Sequence, residues 1–263
     1  GLIGEKLSHS FSKQIHHQLF DYSYELKELA PTDVVSFLKA KDFIAVNVTI
    51  PYKEMVLPYL DEIDEIAAQI GTVNTIVNIN GKLHGYNTDY DGLCALIFHS
   101  GIALEDKKVL ILGSGGTSKT AMAVAHKLGC RSVQRVSRSA RDGCISYEQA
   151  TGDFTDAQVL INTTPCGMFP NVGECAVDIS QFPHIEGVID VVYNPLRTRL
   201  VCEALQRGIS AVGGLYMLVA QAVRASELFV GQSVPCERLQ SIYDTLCFEK
   251  GNIVLVGMPG CGK

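Results

Sequence analysis

The sequence lacks several features that define other classes of protein. It has no surplus of basic residues, since 28 acidic against 22 basic side chains give a net charge of −6, and a basic nucleic-acid-binding surface is therefore not expected. Its nine cysteines are spread singly, with no Cys-x-x-Cys pair and an odd total, which favours reduced thiols over a disulfide framework. No run approaches the roughly 18 apolar residues of a membrane span, and no basic start leads into an apolar segment. These absences together predict a soluble, cytoplasmic protein.

The composition that remains is typical of a folded chain. Apolar residues make up 47% of the 263 positions and charged residues 19%, which excludes a disordered protein. The length is enough for one large or two small domains with cores of their own. Neither an internal repeat nor a low-complexity tract is present.

Short β-branched runs alternate with helical patterns along the chain. The predicted strands are IAVNVTI at 44–50, VNTIVNI at 73–79, KVLILG at 108–113, AQVLINTT at 157–164 and GVIDVVY at 187–193. Strands and helices in alternation are typical of the α/β class and predict a mostly parallel sheet.

Two breaks in composition indicate how the chain divides into domains. A polar stretch at 101–108 separates the helical segment LCALIFH from the apolar run VLILG, and we expect a boundary there. The glycine pair at 213–214 opens an apolar helix that extends through about Phe229 and needs a core to pack on. Docking of this helix on the first hundred residues would make the first domain discontinuous. The expected division is 1–100 plus 214–247, then 101–213, and finally 248–263.

A glycine-rich turn follows the strand VLILG and opens an alanine-rich helical run. It consists of Gly113, Ser114, Gly115, Gly116 and Thr117. Backbone N–H groups at a helix N-terminus after such a turn bind a pyrophosphate in dinucleotide-binding proteins. The third glycine of the G-x-G-x-x-G pattern is replaced here by serine, so a turn that only links strand to helix is the alternative.

The strand after this helix indicates which dinucleotide is bound. A site for NAD would place Asp or Glu at the end of SVQRV to hold the ribose 2′-hydroxyl. The sequence has Ser137, Arg138, Ser139 and Arg141 there. Guanidinium groups favour the 2′-phosphate of NADP, although solvated surface arginines are the alternative.

A second glycine-rich pattern occupies the last residues of the sequence. Residues 257–263 fit G-x-x-x-x-G-K after the apolar run NIVLVG, which is the signature of a P-loop. The Ser or Thr that would bind Mg²⁺ does not follow. A chance match is the alternative, although the preceding apolar run argues against it.

Eight ordered motifs make the chain resemble the shikimate dehydrogenases over about residues 1–247. They are HSFS, NVTIPYK, VNT, GYNTDYDGL, the glycine-rich turn, INTTPCGM, VIDVVYNP and GGLYMLVAQA. The last dozen residues resemble the opening strand and P-loop of shikimate kinase, so the expected parent is a dehydrogenase–kinase fusion cut short within the kinase. The resemblance implies an N-terminal α/β substrate domain, a doubly wound Rossmann-type NADP domain and a cleft between them.

The resemblance also implies a role for individual residues. Lys53 and Asp89 match the catalytic pair. On the substrate side, Ser10 and Ser12 would bind the carboxylate of shikimate, and the ring would contact Thr49, Asn74, Tyr193 and Gln221. The NADP site would comprise the glycine-rich turn with Ser137 and Arg138, and the residues near the nicotinamide would be Met168, Gly214 and Met217.

The chemistry of ketone reduction fits these residues. Hydride addition develops negative charge on the ketone oxygen, so a proton donor must lie within hydrogen-bond reach, and the ammonium of Lys53 can serve. The expected reaction is the NADP-dependent, reversible reduction of 3-dehydroshikimate to shikimate, with these small molecules as the partners and with neither nucleic acid nor membrane. No metal-binding spacing such as H-E-x-x-H occurs. The alternatives are a relative that uses NAD or accepts quinate, a dinucleotide sensor without catalysis, and a kinase activity confined to the parent chain.

Overall fold

The computed structural model describes residues 1–7, 10–140 and 143–251. The chain forms two six-stranded sheets with helices on their faces. In the first half of the chain the elements are β1 (Leu2–Gly4), α1 (Ser12–Leu19), β2 (Leu26–Glu28), α2 (Pro31–Ala40), β3 (Ala45–Val48), β4 (Glu62–Ile63), α3 (Glu65–Ile70), β5 (Thr75–Ile79), β6 (Lys82–Tyr86) and α4 (Thr88–Ser100).

The second half begins after a short polar connection. Its elements are β7 (Lys108–Leu112), α5 (Gly116–Lys127), β8 (Ser132–Val136), β9 (Cys144–Ile145), α6 (Tyr147–Asp153), β10 (Val159–Asn162), β11 (Gly187–Asp190), α7 (Arg199–Gln206), β12 (Ser210–Val212), α8 (Leu215–Val230) and α9 (Cys236–Lys250).

The first sheet is mixed and has the strand order β2-β1-β3-β5-β6-β4. Strands β1, β2 and β3 are parallel, whereas β5 is antiparallel to both β3 and β6. The hairpin between β5 and β6 turns at Asn80 and Gly81, both with positive φ, and a two-residue turn of this kind joins antiparallel strands. The sheet therefore differs from the mostly parallel arrangement that the alternation of elements predicted, because a short turn joins these strands without a crossover helix.

The second sheet is wholly parallel, with the order β12-β11-β10-β7-β8-β9. Its central strands are apolar on both faces: Leu110 and Leu112 pack with one layer of helices, and Val109 and Ile111 with the other. Burial on both faces explains why β7 and β10 are continuous apolar runs in the sequence. This is the doubly wound Rossmann-type architecture that the sequence predicts.

Helices α4 and α8 pack side by side between the two sheets. Leu93 and Met217 belong to the core under the parallel sheet, while Leu215 and Val219, on another face of α8, pack with Ile15 of α1 and with α9. The apolar helix expected from 213 to about 229 is α8, and it needs apolar neighbours on both sides. Among the described residues, no helix is long and apolar enough to span a membrane.

Candidate active site

A cleft of about 1030 Å³ lies between the glycine-rich turn after β7 and the turn after β3. Each turn follows the carboxyl end of a strand, and ligands bind at the carboxyl ends of strands in open α/β sheets. The sequence-predicted residues that line the cleft are Lys53, Gly113, Ser114, Gly115, Gly116, Thr117, Ser137, Arg138 and Met168. The cleft is therefore formed by the predicted cofactor residues together with the lysine of the predicted catalytic pair.

Gly116 allows the two halves of the chain to approach each other closely. A Cβ atom at this position would lie 3.2 Å from Cγ2 of Thr72 and 3.9 Å from Cδ of Lys53. Gly116 is also the first residue of α5, and no acidic side chain lies in the first turn of that helix. The N-terminus of α5 is thus suited to an anion, and it lies directly against the stem of Lys53.

The cleft wall at the end of β8 has the chemistry that a 2′-phosphate requires. Ser137 and Arg138 line the cleft there, and neither of them is acidic. Arg141, the second predicted arginine, lies outside the described residues. Because a guanidinium replaces the carboxylate of an NAD site, the residues present fit NADP.

Lys53, which lines the cleft, pairs with Asp89. Nζ of Lys53 donates a hydrogen bond of 2.5 Å to Oδ2 of Asp89, and the two side chains are only 15% and 11% exposed. Lys53 follows β3 after a turn, while Asp89 is in the first turn of α4, whose N-cap is Asn87. The fold thus brings the predicted catalytic pair together from distant parts of the sequence.

Asn74 bonds the residue next to Asp89, and Thr49 lies at the end of the neighbouring strand β3. The Oδ1 atom of Asn74 accepts a 2.7 Å hydrogen bond from the backbone N–H of Thr88, and its Nδ2 donates to Oγ1 of the same threonine. Asn74 therefore holds the first turn of α4, the turn that carries Asp89. Thr49 follows β3, and its methyl group packs against Gly4.

The two predicted carboxylate-binding serines lie at the start of α1. Oγ of Ser10 donates to Oγ of Ser12 at 3.0 Å and also accepts a hydrogen bond from the backbone N–H of Ser12. Between them, the ring of Phe11 packs 5.3 Å from the ring of Tyr193. Burial raises the pKa of Tyr193, so this phenol stays protonated and can donate a hydrogen bond.

The remaining predicted residues are on or near α8. Gln221 faces Gly92 of α4, and its Nε2 donates to the carbonyl of Leu218. Gly214 is the N-cap of α8, where a Cβ atom would lie 2.1 Å from the carbonyl oxygen of Val191. Met217 is buried in the core. The described residues that line the cleft do not include several of the predicted site residues, namely Ser10, Ser12, Thr49, Asn74, Tyr193, Gln221, Gly214 and Met217.

Sequence reasoning missed several residues of the cleft. Glu54 lines it and forms an ion pair of 2.8 Å with Lys119 of α5, which joins the two halves of the molecule. Tyr147, Cys166 and Cys175 also line it. Glu54 could have been predicted from its position next to Lys53. The two cysteines could not, because they lie in loops whose path depends on tertiary packing. No group of three potential metal ligands occurs in the described residues.

The chain has a parallel sheet, a glycine-rich turn, a cleft and a largely buried lysine–carboxylate pair. These features define its class, the Rossmann-type oxidoreductases. The family model described as the shikimate dehydrogenase substrate binding domain matches residues 2–76. A Clostridium perfringens protein named shikimate dehydrogenase (NADP(+)) is 36% identical over 263 residues, covering 94% of this chain and 97% of that protein.

Two solved structures agree with this match. The crystal structure of shikimate dehydrogenase 1 from Peptoclostridium difficile is 36% identical, has a TM-score of 0.87 and is covered to 98%, against 95% of this chain. The shikimate 5-dehydrogenase of Thermus thermophilus, solved in complex with NADP(H) and shikimate, is 27% identical with a TM-score of 0.83, over 93% of this chain and 97% of that chain. The chain belongs to the shikimate dehydrogenase family.

Proposed function

We propose that this chain catalyses the reversible, NADP-dependent reduction of 3-dehydroshikimate to shikimate. The observation that carries the proposal is the Lys53–Asp89 pair, which is largely buried and lies beside the glycine-rich turn. A protein that only sensed a dinucleotide would have no use for a proton donor at this position. The names of the relatives, and the complex of one of them with NADP(H) and shikimate, support the same assignment.

In this proposal Lys53 handles the proton. Its ammonium donates to the ketone oxygen as negative charge develops there. The hydrogen bond to Asp89 holds the long side chain in one direction, so the donor is already placed when the substrate binds. In the reverse direction the neutral amine of Lys53 accepts the proton of the shikimate hydroxyl.

The residues that would hold NADP line the cleft. The N-terminus of α5 with Gly115 and Gly116 would bind the pyrophosphate, and Arg138 with Ser137 the 2′-phosphate. When bound, the cofactor supplies the hydride. Met168, which lines the cleft, would lie near its nicotinamide, with Gly214 and Met217 behind the cleft wall.

The substrate residues are assigned on chemical grounds. Ser10 and Ser12 supply hydroxyl groups that suit a carboxylate, while Thr49, Asn74, Tyr193 and Gln221 suit a polyhydroxylated ring. Such a site rejects analogues without the matching hydroxyl, because its polar groups would then remain unpaired. We also propose 1–100 plus 214–247 as the substrate domain and 101–213 as the cofactor domain. The Nε2 of Gln14 in α1 donates a hydrogen bond to Oε2 of Glu249 in α9, which supports an extension of the substrate domain to the end of α9 at Lys250.

The deciding experiment follows the near-ultraviolet absorbance of NADPH, which falls as 3-dehydroshikimate is reduced and rises as NADP oxidises shikimate. Turnover with both, and at least about tenfold lower kcat/KM with NAD, supports the proposal. A preference for NAD, or for quinate, would favour the alternative relative. Binding of NADP without any turnover would favour the sensor.

Two finer proposals rest on the sequence alone. One is a reduced, cytoplasmic setting, with which the eight unpaired cysteines of the described residues are compatible. The other is a P-loop kinase segment within 248–263. Residues 252–263 lie outside the described part of the chain, and the relatives above lend the fusion no support, because this chain matches 97% of the Clostridium protein's whole length.

A further inference from the structure

Asp190 is a buried carboxylate to which the proposed reaction assigns no task. It is the last residue of β11 and is 0% exposed. Its Oδ1 accepts hydrogen bonds of 3.0 Å from Nδ2 of Asn162 and from the backbone N–H of Val192, and its Oδ2 accepts one of 2.6 Å from Oγ1 of Thr198. Three donors, one at the end of β10 and two from the loop after β11, therefore converge on one side chain.

The bond to Asn162 connects Asp190 to the loop that follows β10. Asn162 is 1% exposed, and its Oδ1 accepts hydrogen bonds from both the backbone N–H and the hydroxyl of Thr164. The hydroxyl of Thr164 in turn accepts from the backbone N–H of Cys166. This loop, residues 163–168, lines the cleft and ends at Met168; we term it the cofactor loop.

The bonds to Val192 and Thr198 connect Asp190 to the loop that follows β11. This second loop, residues 191–198, contains Tyr193 and is termed the tyrosine loop. Its end is fixed because Thr198 is also the N-cap of α7. The two loops also meet directly: the backbone N–H of Phe169, just after the cofactor loop, donates to the carbonyl of Asn194, and the methyl side of Thr198 packs on Gly167.

The charge of Asp190 makes this arrangement costly for the fold. No ion pair to Asp190 occurs in the described part of the chain. Burial, and to a smaller extent the charge of Asp190, raise the pKa of the Cys166 and Cys175 thiols. Burial raises the pKa of Asp190 to about 6. A buried carboxylate that has hydrogen-bond donors but no cationic partner is retained at a cost in stability, which argues that its hydrogen bonds serve the site.

We propose that Asp190 is a positioning residue, which couples the cofactor loop to the tyrosine loop and so sets the distance between the nicotinamide and the substrate. This inference rests on the proposed function. Asp190 is fully buried and does not line the cleft, so it would touch neither ligand and would act through Thr164 and Met168 on one side and through Tyr193 on the other. Small displacements of reacting groups lower rates strongly, by up to about a hundredfold for 1 Å.

The first test needs no catalysis and uses the matched variants Thr198→Val and Thr198→Ser in the complete chain. Valine removes the hydroxyl and keeps the methyl group, while serine does the reverse. Amide hydrogen exchange should rise at least about tenfold in both loops of the valine variant, the factor expected when a hydrogen bond to a charged group is lost. The serine variant should exchange like the wild type. Faster exchange confined to the tyrosine loop would overturn the coupling.

The second test uses Asp190→Asn, which keeps the shape and one acceptor oxygen but cannot satisfy the same three donors. We expect kcat to fall roughly tenfold with the Kd for NADPH within about twofold. The isotope effect with shikimate deuterated at C3 should rise, because hydride transfer becomes slower relative to product release. A loss of active protein with an unchanged isotope effect would mean a structural role only, and would overturn the proposal.

The wild-type assay separates the two hypotheses. If the wild type does not turn over shikimate, the proposed function fails, and the exchange experiment still decides whether Asp190 couples the loops. If the wild type is active and Thr198→Val leaves both exchange and kinetics unchanged, the coupling fails while the function stands.

Discussion

Tyr193 of the tyrosine loop packs against Phe11, which lies between Ser10 and Ser12 at the start of α1, with ring centroids 5.3 Å apart and planes at 58°. The two residues come from opposite halves of the molecule, since Tyr193 follows a strand of the parallel sheet and Phe11 precedes α1, which packs on α8 and α9. The contact places the Tyr193 ring against the residue that separates the two serines of the proposed carboxylate site. It also makes the substrate site depend on both halves.

Replacement of Tyr193 by phenylalanine should separate the contribution of the hydroxyl group from that of the ring contact. The ring contact with Phe11 is kept while the hydroxyl is lost, so the kcat/KM for shikimate should fall roughly tenfold, as for one hydrogen bond to a charged or polar group. The Kd for NADPH, measured by fluorescence titration, should stay within about twofold. An unchanged kcat/KM in Tyr193→Phe, with a loss only in Tyr193→Leu, would show that the ring matters and the hydroxyl does not.

Lys53→Ala removes the proposed proton donor and leaves the remaining polar groups in place. We expect kcat to fall about a hundredfold or more, with a smaller change in KM. Lys119→Ala is the matched control, because this lysine also lies near the cleft and pairs with Glu54; its kcat should stay within about threefold. Near-normal turnover of Lys53→Ala would exclude Lys53 as the donor.

Arg138→Ala should weaken NADP without a comparable effect on NAD. Loss of a charge-assisted hydrogen bond to the 2′-phosphate corresponds to about 1.5–3 kcal/mol, or roughly 10- to 150-fold in Kd. Titration with each cofactor measures this difference. Arg131→Ala is the control, since Arg131 pairs with Asp106 near the start of β8, at the opposite end of that strand. Equal weakening of both cofactors in Arg138→Ala would indicate a structural role for this arginine.

Two buried groups should give opposing contributions to stability in acid. Burial lowers the pKa of His16 to about 3 from 6.5, so between these values only the unfolded chain binds the proton, and the free energy of unfolding falls as the pH falls. Burial raises the pKa of Asp190 to about 6 from 3.8, so in that window the folded chain binds the proton and the sign is reversed. Each slope is at most about 1.4 kcal/mol per pH unit.

The variants His16→Phe and Asp190→Asn isolate these two contributions. Urea unfolding between pH 4 and pH 6, about the window in which both groups act, should show a steeper acid loss in Asp190→Asn than in the wild type and a shallower one in His16→Phe. Phenylalanine keeps the stacking on Tyr24, whose ring lies 4.0 Å away. Identical slopes in all three proteins would contradict the assignment of both groups.

Removal of residues 252–263 should leave the dehydrogenase intact. The described fold ends with α9, whose Lys250 lies over the ring of Phe11 at 4.7 Å, and the deletion begins after this contact. We expect kcat and KM to change by less than about twofold. A second deletion that begins at Phe248 should be worse, because it also removes Glu249 and Lys250. Loss of folding in the shorter deletion would make the segment part of the dehydrogenase.

Local patterns in the sequence predicted much of the parallel sheet. The runs KVLILG and GVIDVVY contain β7 and β11, because strands buried on both faces must be apolar throughout. The same reasoning could not distinguish parallel from antiparallel pairing in the first sheet. That distinction depends on whether a short turn or a crossover helix joins the strands, and the turn at Asn80 and Gly81 is a weak signal in a single sequence.

The sequence by itself determined two groups that could carry the chemistry, a lysine after a buried strand and an arginine where an NAD site needs an acid, and the family resemblance added Asp89 as the partner of the lysine. Only the tertiary structure decided that Lys53 meets Asp89 and that Asp190 joins two loops. These contacts connect residues from separate elements, 36 positions apart in the catalytic pair. Periodicity and local propensity extend over a few residues, whereas such contacts arise only when the sheets and the helices between them pack together.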